Sequence, residues 1–554
     1  MSVQATFAAT LVDEWVRAGV TDAVICPGSR STPMALALAA RLKVHVRLDE
    51  RSAAFFALGL SKATGVPTVI CVTSGTAAAE LHPAVVEAHQ GRVPLLVCTA
   101  DRPPELHHVG ASQTIDQVGL FTTSTRWSCD PGVPDEAQAG SWRPLAARAF
   151  AEARRGPLGP GPVHLNLAFR EPLVGDPGPL PSRPSPASVS HRSESAALVI
   201  PLSGRGLIIA GAGATTDPDS LRLLGERLGW PILADPRSDC RIPGTIAAAD
   251  AIVRTQPAPP ETVVLLGEPW LSKALGEYVE GAAAHGARVI CADPWWQWTD
   301  PSVVVSEFHH VSGDTFISAA LESAGEPSAA VDRQWLESWQ SYDAVAQVAI
   351  EQTLGHGLSE PLVARALARH AAEQAVTLFV SASMPVRDLE WFAPTLEAPA
   401  RVLANRGANG IDGLVSTALG IAASGRCTVA LLGDLAFLHD VSGLVNLPDV
   451  PCTFVVLDNG GGGIFSFLPQ AGALHEAQFE LLFGTPPTTN VSNVARGFGL
   501  EVHEVTTAVE LELALEATVA ATMPTVVVAK VGGRSENVAL HEAVNRAVRT
   551  ALAT

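Results

Sequence analysis

The sequence has little positive charge, and lysine is nearly absent from it. Lysine and arginine together number 37, against 56 aspartates and glutamates, so the formal net charge is −19. The four lysines are Lys43, Lys62, Lys273 and Lys530. Nonspecific binding of nucleic acid depends on clustered cations that neutralise backbone phosphates. We therefore exclude nucleic acid as a partner of this chain.

Long apolar runs and paired cysteines are also missing. No apolar run reaches the roughly 18 residues that a membrane span requires, and residues 1–20 carry Asp13, Glu14 and Arg17, unlike a signal peptide. The eight cysteines form no CxxC pair and mostly lie in β-branched runs, which is typical of buried, reduced thiols. We expect a soluble, cytoplasmic protein without a membrane span.

What the sequence does contain is a regular alternation of short β-branched runs with Ala/Leu-rich helical stretches. This alternation is typical of βαβ units on buried parallel sheets. The length of 554 residues suggests three or four domains, at about 150 residues each. The predicted strands are Ala23–Cys26, Thr68–Thr73, Leu95–Thr99, Leu207–Ala210, Thr262–Leu266, Val289–Ala292, Thr377–Val380, Thr428–Leu432, Thr453–Leu457 and Thr525–Ala529.

Two stretches indicate domain boundaries. Between Pro172 and Pro186, six of fifteen residues are proline, and Ser/Arg-rich sequence follows to about residue 195. Repeated prolines can neither continue a helix nor donate hydrogen bonds to a sheet, so this stretch predicts a linker. A weaker boundary lies between Ser323 and Ser359. The prediction is three doubly wound α/β domains with mostly parallel sheets, at residues 1–180, 190–330 and 345–554.

The first and last of these blocks resemble each other. Ala57-Leu58-Gly59 precedes Thr73, and Ala418-Leu419-Gly420 precedes Gly433 at almost the same separation along the chain. Thr73 and Gly433 each follow directly on a predicted strand or end it. This spacing predicts an internal repeat of one α/β unit. Chance similarity between ordinary strand–turn–helix elements is the alternative.

Oxygen-bearing side chains follow two predicted strands of the last block. Gly433-Asp434 comes directly after one strand, and Asp458-Asn459 directly after the next. The carboxyl ends of parallel strands are where α/β sheets bind ligands, and Mg²⁺ takes about six oxygen ligands. Asp434, Asn459 and a backbone carbonyl of the glycine run 460–463 could supply three, which leaves room for a diphosphate. The alternative interpretation is an ordinary pair of turns.

These motifs resemble those of the thiamine-diphosphate-dependent enzymes. Gly-Asp followed by Asn, at the spacing that separates Asp434 from Asn459, is the fingerprint of that family. Two similar α/β blocks around a different middle block form its pyruvate-oxidase-like layout. Several segments are similar to the branch that joins 2-oxoglutarate to isochorismate in menaquinone biosynthesis. Those segments are residues 26–33, 73–77, 99–106, 110–113, 405–413 and 464–469.

The chain departs from the family pattern at two positions. Leu435 stands where the third glycine of Gly-Asp-Gly is usual, and Asp458 stands where the family usually has asparagine. The branch of the family that this chain resembles also tolerates a leucine at the position of Leu435. Asp458 leaves open which of two neighbours contacts the metal, and we favour Asn459.

The resemblance implies thiamine diphosphate and Mg²⁺ as cofactors, with Mn²⁺ as an alternative ion. It implies decarboxylation of 2-oxoglutarate and conjugate (1,4) addition of the resulting succinyl-semialdehyde carbanion to isochorismate, with Glu50 as the catalytic acid. The implied cofactor-binding residues are Glu50, Ser74, Gly75, Thr76, Asn409, Gly410, Ile411, Gly433, Asp434, Leu435, Asn459 and Ile464. The implied metal ligands are Asp434, Asn459 and Gly461. The implied substrate-binding residues are Ser29, Arg30, Arg102, Gln113, Lys273, Ser383, Arg387, Arg406, Ile464 and Phe465.

The resemblance also implies a homodimer or homotetramer with active sites between subunits. Gly211-Ala212-Gly213-Ala214 lacks the last glycine of a dinucleotide-binding turn, because residue 216 is threonine, so we expect a middle domain without its own cofactor. One alternative function is another 2-oxo-acid carboligase, such as an acetolactate synthase, with a small apolar donor pocket. Another is a non-catalytic paralogue, against which the retention of Glu50, Asp434 and Asn459 argues.

Overall fold

The strands of the chain form three separate sheets, and every strand pairing in them is parallel. The computed structural model describes residues 1–183, 198–295, 297–324 and 332–553. Residues 184–195 of the predicted linker lie outside the described residues, as do residues 325–331 near the second boundary. None of the helices in the described ranges combines the length and the apolar composition that crossing a bilayer requires.

The N-terminal sheet has six strands in the order β2-β1-β3-β4-β6-β5. Its strands are β1 (Asp22–Ile25), β2 (Lys43–Val46), β3 (Thr68–Val72), β4 (Leu95–Asp101), β5 (Trp127–Cys129) and β6 (Pro162–Ala168). Its helices are α1 (Val3–Arg17), α2 (Thr32–Ala39), α3 (Glu50–Thr64), α4 (Thr76–Ala79), α5 (His82–Gln90) and α6 (Ala139–Arg155).

The middle sheet has five strands in the order β11-β10-β9-β7-β8. Its strands are β7 (Gly206–Ala210), β8 (Ile232–Ala234), β9 (Thr262–Leu266), β10 (Arg288–Ala292) and β11 (Glu307–His309). The helices of this part are α7 (Pro218–Leu228), α8 (Ala249–Val253), α9 (Lys273–Ala284), α10 (Gly313–Ala324) and α11 (Arg333–Leu354).

The C-terminal sheet has six strands in the order β13-β12-β14-β15-β17-β16. Its strands are β12 (Thr377–Val380), β13 (Val402–Ala404), β14 (Thr428–Gly433), β15 (Cys452–Asp458), β16 (Glu501–Val505) and β17 (Thr525–Lys530). Its helices are α12 (Glu360–Glu373), α13 (Met384–Phe392), α14 (Leu414–Ala423), α15 (Asp434–His439), α16 (Gln470–Ala473), α17 (Glu476–Phe479), α18 (Val491–Gly497), α19 (Ala508–Thr518) and α20 (Arg534–Leu552).

The first and last sheets share one strand order, as the predicted repeat requires, and the equivalent helices α3 and α14 pack against each other. A Cβ on Gly59 of α3 would lie 2.1 Å from the Thr417 carbonyl oxygen, and a Cβ on Gly420 would lie 2.1 Å from that of Phe56. Both separations are too short for a real side chain, so the close contact depends on glycine at both positions. These are the glycines of the two Ala-Leu-Gly segments that indicated the repeat.

All ten predicted strands are present, with ends that differ by at most two residues. The sequence did not predict β2, β5, β6, β8, β11, β13 or β16. Apart from β6, these are the edge strands of the three sheets, and they are short. A short edge strand carries few buried apolar residues, so its sequence gives a weak signal.

Helix α11 packs on the middle sheet together with the C-terminal helix α20. Trp335 and Trp339 of α11 share a buried cluster with Leu207 of β7 and with Val544 and Val548 of α20. Residue 345, where the third block was expected to begin, lies inside α11. The boundaries at 1–180, 190–330 and 345–554 stay a prediction.

Candidate active site

A cavity of about 490 Å³ opens at the carboxyl ends of the C-terminal strands. Many of the residues singled out in the sequence line it, although they come from four separate segments of the chain. The predicted residues that line it are Ser383, Arg387, Arg406, Asn409, Ile411, Gly433, Asp434, Leu435, Asn459, Gly461, Ile464 and Phe465. Parallel strands bring these segments together because their carboxyl ends lie at one edge of the sheet.

Asp434 is the buried acid of this cavity. It begins α15 directly after β14, and its carboxylate accepts hydrogen bonds from the backbone N–H groups of Leu435 at 2.6 Å, Gly460 at 3.1 Å and Gly461 at 2.9 Å. Burial raises the pKa of Asp434 to about 6, although these three donors act in the opposite direction. The turn that supplies two of the donors depends on glycine, since residues 460 and 461 have φ of 78° and 123°.

Asn459 lies beside Asp434 and presents both ends of its amide to partners. Its Nδ2 donates to Glu360 Oε1 at 2.8 Å, and its Oδ1 accepts from the Gly461 N–H at 3.2 Å. The neighbouring Asp458 instead forms an ion pair with Lys530 of β17 and does not line the cavity. The pair supports Asn459 over Asp458 as the residue available to a metal ion.

The cavity could hold a hard divalent cation. Its available donors are oxygens: the Asp434 carboxylate, the Asn459 amide oxygen and backbone carbonyls of the glycine turn, which is the donor type that Mg²⁺ takes. No group of three or more histidine, cysteine, aspartate or glutamate side chains arranged for a metal occurs in the described part of the chain. A site with one carboxylate would leave coordination positions for ligand phosphates and water, so these residues fit a Mg²⁺–diphosphate pair.

Two arginines give the same cavity positive charge. Arg387, in the first turns of α13, donates to the Ser383 carbonyl oxygen at 2.6 Å, and Arg406 follows β13. Burial lowers the pKa of Arg406 to about 10, and burial also lowers the pKa of Arg387. A pKa of about 10 leaves the Arg406 guanidinium group charged at neutral pH. Guanidinium groups in a cavity suit binding of carboxylates.

A second group of predicted residues lies in the N-terminal part, away from this cavity. Arg102 Nη1 donates to Ser74 Oγ at 2.6 Å, Ser74 Oγ donates to the Gln113 carbonyl oxygen at 2.9 Å, and Gln113 Nε2 returns a bond to the Ser74 carbonyl oxygen at 3.0 Å. Gly75, at φ 82°, donates its N–H to Gln117 Oε1 at 2.8 Å. The structure thus joins three of the predicted residues by direct hydrogen bonds.

The remaining predicted residues of the N-terminal part lie nearby. Arg30 is buried and donates to the Phe169 carbonyl oxygen at 2.9 Å, and its charge contributes, after burial, to lowering the pKa of Arg102. Ser29 is exposed beside Arg30, and Thr76 begins α4. Glu50 begins α3; burial, together with the charges of Asp49 and Glu80, raises its pKa.

Neither Glu50 nor Lys273 lines the main cavity within the single chain. Lys273 begins α9 with an 88% exposed side chain, and its Nζ lies 3.4 Å from Glu277. Gly410 lines a separate cavity of about 180 Å³ that Phe55 and Glu87 also line.

Three polar residues at these sites were not predicted from the sequence. Glu360, in the first turn of α12, lines the main cavity, and burial raises its pKa to about 8. Glu87 of α5 accepts hydrogen bonds from the backbone of the segment that carries Arg406, and the fully buried Gln117 supports Gly75. An acid in the first turn of a helix usually complements the helix dipole, so the sequence held no signal for Glu360.

Comparison with known proteins places this geometry in a family. Residues 5–120 match "Thiamine pyrophosphate enzyme, N-terminal TPP binding domain", residues 187–380 match "Middle domain of thiamine pyrophosphate", and residues 390–529 match "Thiamine pyrophosphate enzyme, C-terminal TPP binding domain". Thiamine pyrophosphate is another name for thiamine diphosphate.

Curated relatives of similar length carry one name, 2-succinyl-5-enolpyruvyl-6-hydroxy-3-cyclohexene-1-carboxylate synthase. The relative from Thermobifida fusca is 42% identical, covering 93% of this chain and 94% of its own length. Those from Chloroflexus aurantiacus and Listeria monocytogenes are 44% and 36% identical, covering 84% and 92% of this chain and the same shares of their own lengths. The chain belongs to this family of thiamine-diphosphate enzymes. Membership in the synthase family confirms the resemblance drawn from the motifs and the three-domain α/β architecture.

Proposed function

We propose that the protein catalyses the reaction for which its relatives are named. The substrates are 2-oxoglutarate and isochorismate, and the products are 2-succinyl-5-enolpyruvyl-6-hydroxy-3-cyclohexene-1-carboxylate and CO₂, in menaquinone biosynthesis. The observation that carries this proposal is the combination, in one cavity, of the oxygen donors Asp434 and Asn459 with the guanidinium groups of Arg387 and Arg406. An enzyme with a small apolar donor pocket, such as an acetolactate synthase, has no use for both arginines.

Asp434, Asn459 and the Gly461 carbonyl would hold Mg²⁺, or Mn²⁺ in its place, and through it a diphosphate. Bound thiamine diphosphate supplies a carbon nucleophile that adds to 2-oxo acids and stabilises the charge left by decarboxylation. Leu435 and the backbone of Gly433 would border the diphosphate. Ile411 and Ile464 would exclude water and give the cofactor an apolar wall, as their place in the cavity lining supports.

Glu50 would act on the aminopyrimidine ring of the cofactor. A carboxyl group with a raised pKa keeps its proton to a higher pH than an exposed carboxyl group does, and it can share that proton with ring nitrogen N1′. Burial raises the pKa of Glu50 in the single chain, and further burial under a cofactor would raise it more. In this proposal Ser74, Gly75 and Thr76, together with Asn409 and Gly410, border the same ring.

The arginines would orient substrates that each carry two carboxylates. A planar guanidinium group can bind a carboxylate through two parallel hydrogen bonds and so fixes its orientation. Arg387 and Arg406 would act from the main cavity and Arg30 and Arg102 from the N-terminal group. The further substrate contacts that we propose are Ser29, Gln113, Lys273, Ser383, Ile464 and Phe465.

A second copy of the chain would complete each active site. Glu50 does not line the cavity of its own chain, and the apolar side chains of Val46 and Leu48 next to it are about half exposed. We therefore propose a homodimer or homotetramer in which the N-terminal group of one subunit faces the cavity of another. The free thiols of all eight cysteines support a reducing compartment, the cytoplasm.

The proposal is tested by following isochorismate and CO₂ with purified protein, Mg²⁺, thiamine diphosphate and 2-oxoglutarate. We expect isochorismate consumption only when every component is present. Asp434→Asn should lower kcat/KM by roughly 100-fold or more, because the buried site loses its one ionised ligand. Asp449→Asn, which changes an exposed aspartate, should have no effect. Turnover of pyruvate alone, or full activity of Asp434→Asn, would contradict the proposal.

A further inference from the structure

Glu360 is a buried acid in the first turn of α12, but its side chain does not cap that helix. Ser359 already caps the helix, because its side-chain oxygen accepts the Leu362 N–H at 3.4 Å. The Glu360 side chain instead turns to the main cavity, with the residue only 2% exposed, beside the acids Asp388 and Asp434. Burying a carboxyl group next to other acids is costly, so its contacts are expected to serve the site.

Its one side-chain hydrogen bond in the described structure is with Asn459. Asn459 Nδ2 donates to Glu360 Oε1 at 2.8 Å. The two ends of an asparagine amide have nearly the same shape, so packing alone does not decide which end faces the cavity. In the structure Glu360 accepts from the NH₂ end. This hydrogen bond turns the oxygen end of the amide away from Glu360.

The oxygen end is turned towards Asp434. Asn459 Oδ1 lies 3.2 Å from the Gly461 nitrogen, and Asp434 Oδ2 lies 2.9 Å from the same nitrogen. The Gly461 N–H thus holds one oxygen of Asp434 and the amide oxygen of Asn459 close together. The opposite orientation of the Asn459 amide would place its NH₂ group at that point. An NH₂ group cannot bind Mg²⁺, which takes oxygen ligands.

We infer that Glu360 is a positioning residue that fixes the amide of Asn459 with its oxygen towards the divalent cation. The inference rests on the proposed function, since it takes Asp434 and Asn459 as ligands of that cation. The first turn of α12 carries none of the proposed metal ligands. Through Glu360 it would nevertheless control the affinity of the site for the metal ion.

The test measures the affinity of the thiamine-diphosphate-loaded protein for Mn²⁺ by electron paramagnetic resonance, and for Mg²⁺ by competition. Glu360→Gln replaces one carboxyl oxygen by an NH₂ group, which can donate to the Asn459 oxygen and so favour the opposite orientation of the amide. We expect its metal affinity to fall roughly 10- to 100-fold, the usual effect of losing a residue that orients a metal ligand. Saturating Mg²⁺ should restore most of kcat. Glu373→Gln, at the exposed far end of the same helix, should bind metal like the parent.

A double variant distinguishes orientation from a general loss of structure. In Glu360→Gln with Asn459→Asp, donor and acceptor exchange places, and both oxygens of the new carboxylate are equivalent. We expect this pair to bind metal at least as tightly as the parent, even if Glu360→Gln alone does not fold. Parent-like affinity in folded Glu360→Gln, or weak binding in the folded double variant, would overturn the inference. If the parent itself binds no metal with thiamine diphosphate, the proposed function fails instead.

Discussion

At the scale of single residues, the neighbours Asp458 and Asn459 show how a partner elsewhere in the chain decides a role. The sequence offered both as metal ligands, one acidic and one neutral. Lys530 lies far along the chain, at the end of the adjacent strand β17, and it forms an ion pair with Asp458. Strand pairing between β15 and β17 cannot be read from either segment alone, so this support for Asn459 comes only from the folded structure.

Asp440 is a second buried acid, at the junction of the two outer parts of the chain, and it makes stability depend on pH. Its carboxylate accepts the Ser416 N–H at 2.7 Å and lies 3.9 Å from Arg51. Burial raises the pKa of Asp440 from 3.8 to about 6. Because the folded protein disfavours the ionised form, the contribution to stability is fully present below pH 3.8 and is lost as the pH rises through 6.

Asp440→Asn removes this ionisation and keeps an oxygen that can accept the Ser416 N–H. Relative to the parent, we expect the variant to gain stability as the pH rises from about 4.5 to about 8, by up to ~2 kcal/mol. The measurement is the difference in thermal unfolding midpoint across that range, with Asp449→Asn as the exposed control. A difference that does not change with pH would contradict the expected role of Asp440.

At the scale of elements, the segment between β13 and α14 is held by the N-terminal part of the same chain. Glu87 of α5 accepts the N–H groups of Gly407 at 2.8 Å, Ala408 at 2.6 Å and Asn409 at 3.4 Å. Lys62 of α3 donates to the Ala404 carbonyl oxygen at 2.8 Å. The segment carries Arg406 and Ile411 into the main cavity, so α3 and α5 help to shape a site whose lining comes from other elements.

Glu87→Gln keeps the size of the side chain but loses its charge and half of its acceptor capacity. We expect hydrogen exchange of the Gly407 and Ala408 amides to become roughly tenfold faster or more, since a charge-assisted hydrogen bond contributes about 1.5–3 kcal/mol. The KM values of both substrates should rise with it. Glu136→Gln, an exposed site in the same domain, is the control. Unchanged exchange at residues 407–409 would show that the segment is ordered without Glu87.

The sequence was sufficient for strands with an uninterrupted apolar run and insufficient for very short or interrupted ones. Thr68–Val72 is buried at every position and was predicted from its apolar run. Strand β6 is equally buried, but His164 and Asn166 interrupt its apolar pattern. These two side chains are satisfied by Thr99 at 2.8 and 2.9 Å. At the site, Asp434 and Asn459 were predicted from their place at strand ends, and the other residues were implied by the resemblance. Glu87 and Glu360 were missed because their roles depend on contacts between distant segments.

At the scale of the whole molecule, the net charge of −19 contrasts with the positive charge that the proposed substrates require. The contrast is resolved locally, because Arg387 and Arg406 line the cavity while the acids there are few and buried. The proposed assembly would add Arg30 and Arg102 from a second subunit. The same proposal has a direct consequence for mixed oligomers.

Two inactive variants with lesions on opposite sides of a shared site should complement each other. In a mixed dimer of Glu50→Gln and Asp434→Asn, one site carries both lesions and the other carries neither, so we expect about half of the parent activity. The mixed species is isolated by co-expression with two different tags. Asp434→Asn with Asn459→Ala is the control, because every site then keeps one lesion. Absence of activity in the first mixture would place each complete site within one chain.

The close packing of α3 on α14 at Gly59 and Gly420 connects two residues of the proposed chemistry. Glu50 precedes Gly59 by the same interval as Ile411 precedes Gly420, so the two occupy corresponding places in the repeat. A bulkier residue at either glycine would push α3 and α14 apart. It would displace the residues at or just before the start of both helices, including Glu50 and Ile411. The acid proposed for proton transfer and the apolar residue proposed to support the cofactor therefore depend on the same close contact between α3 and α14.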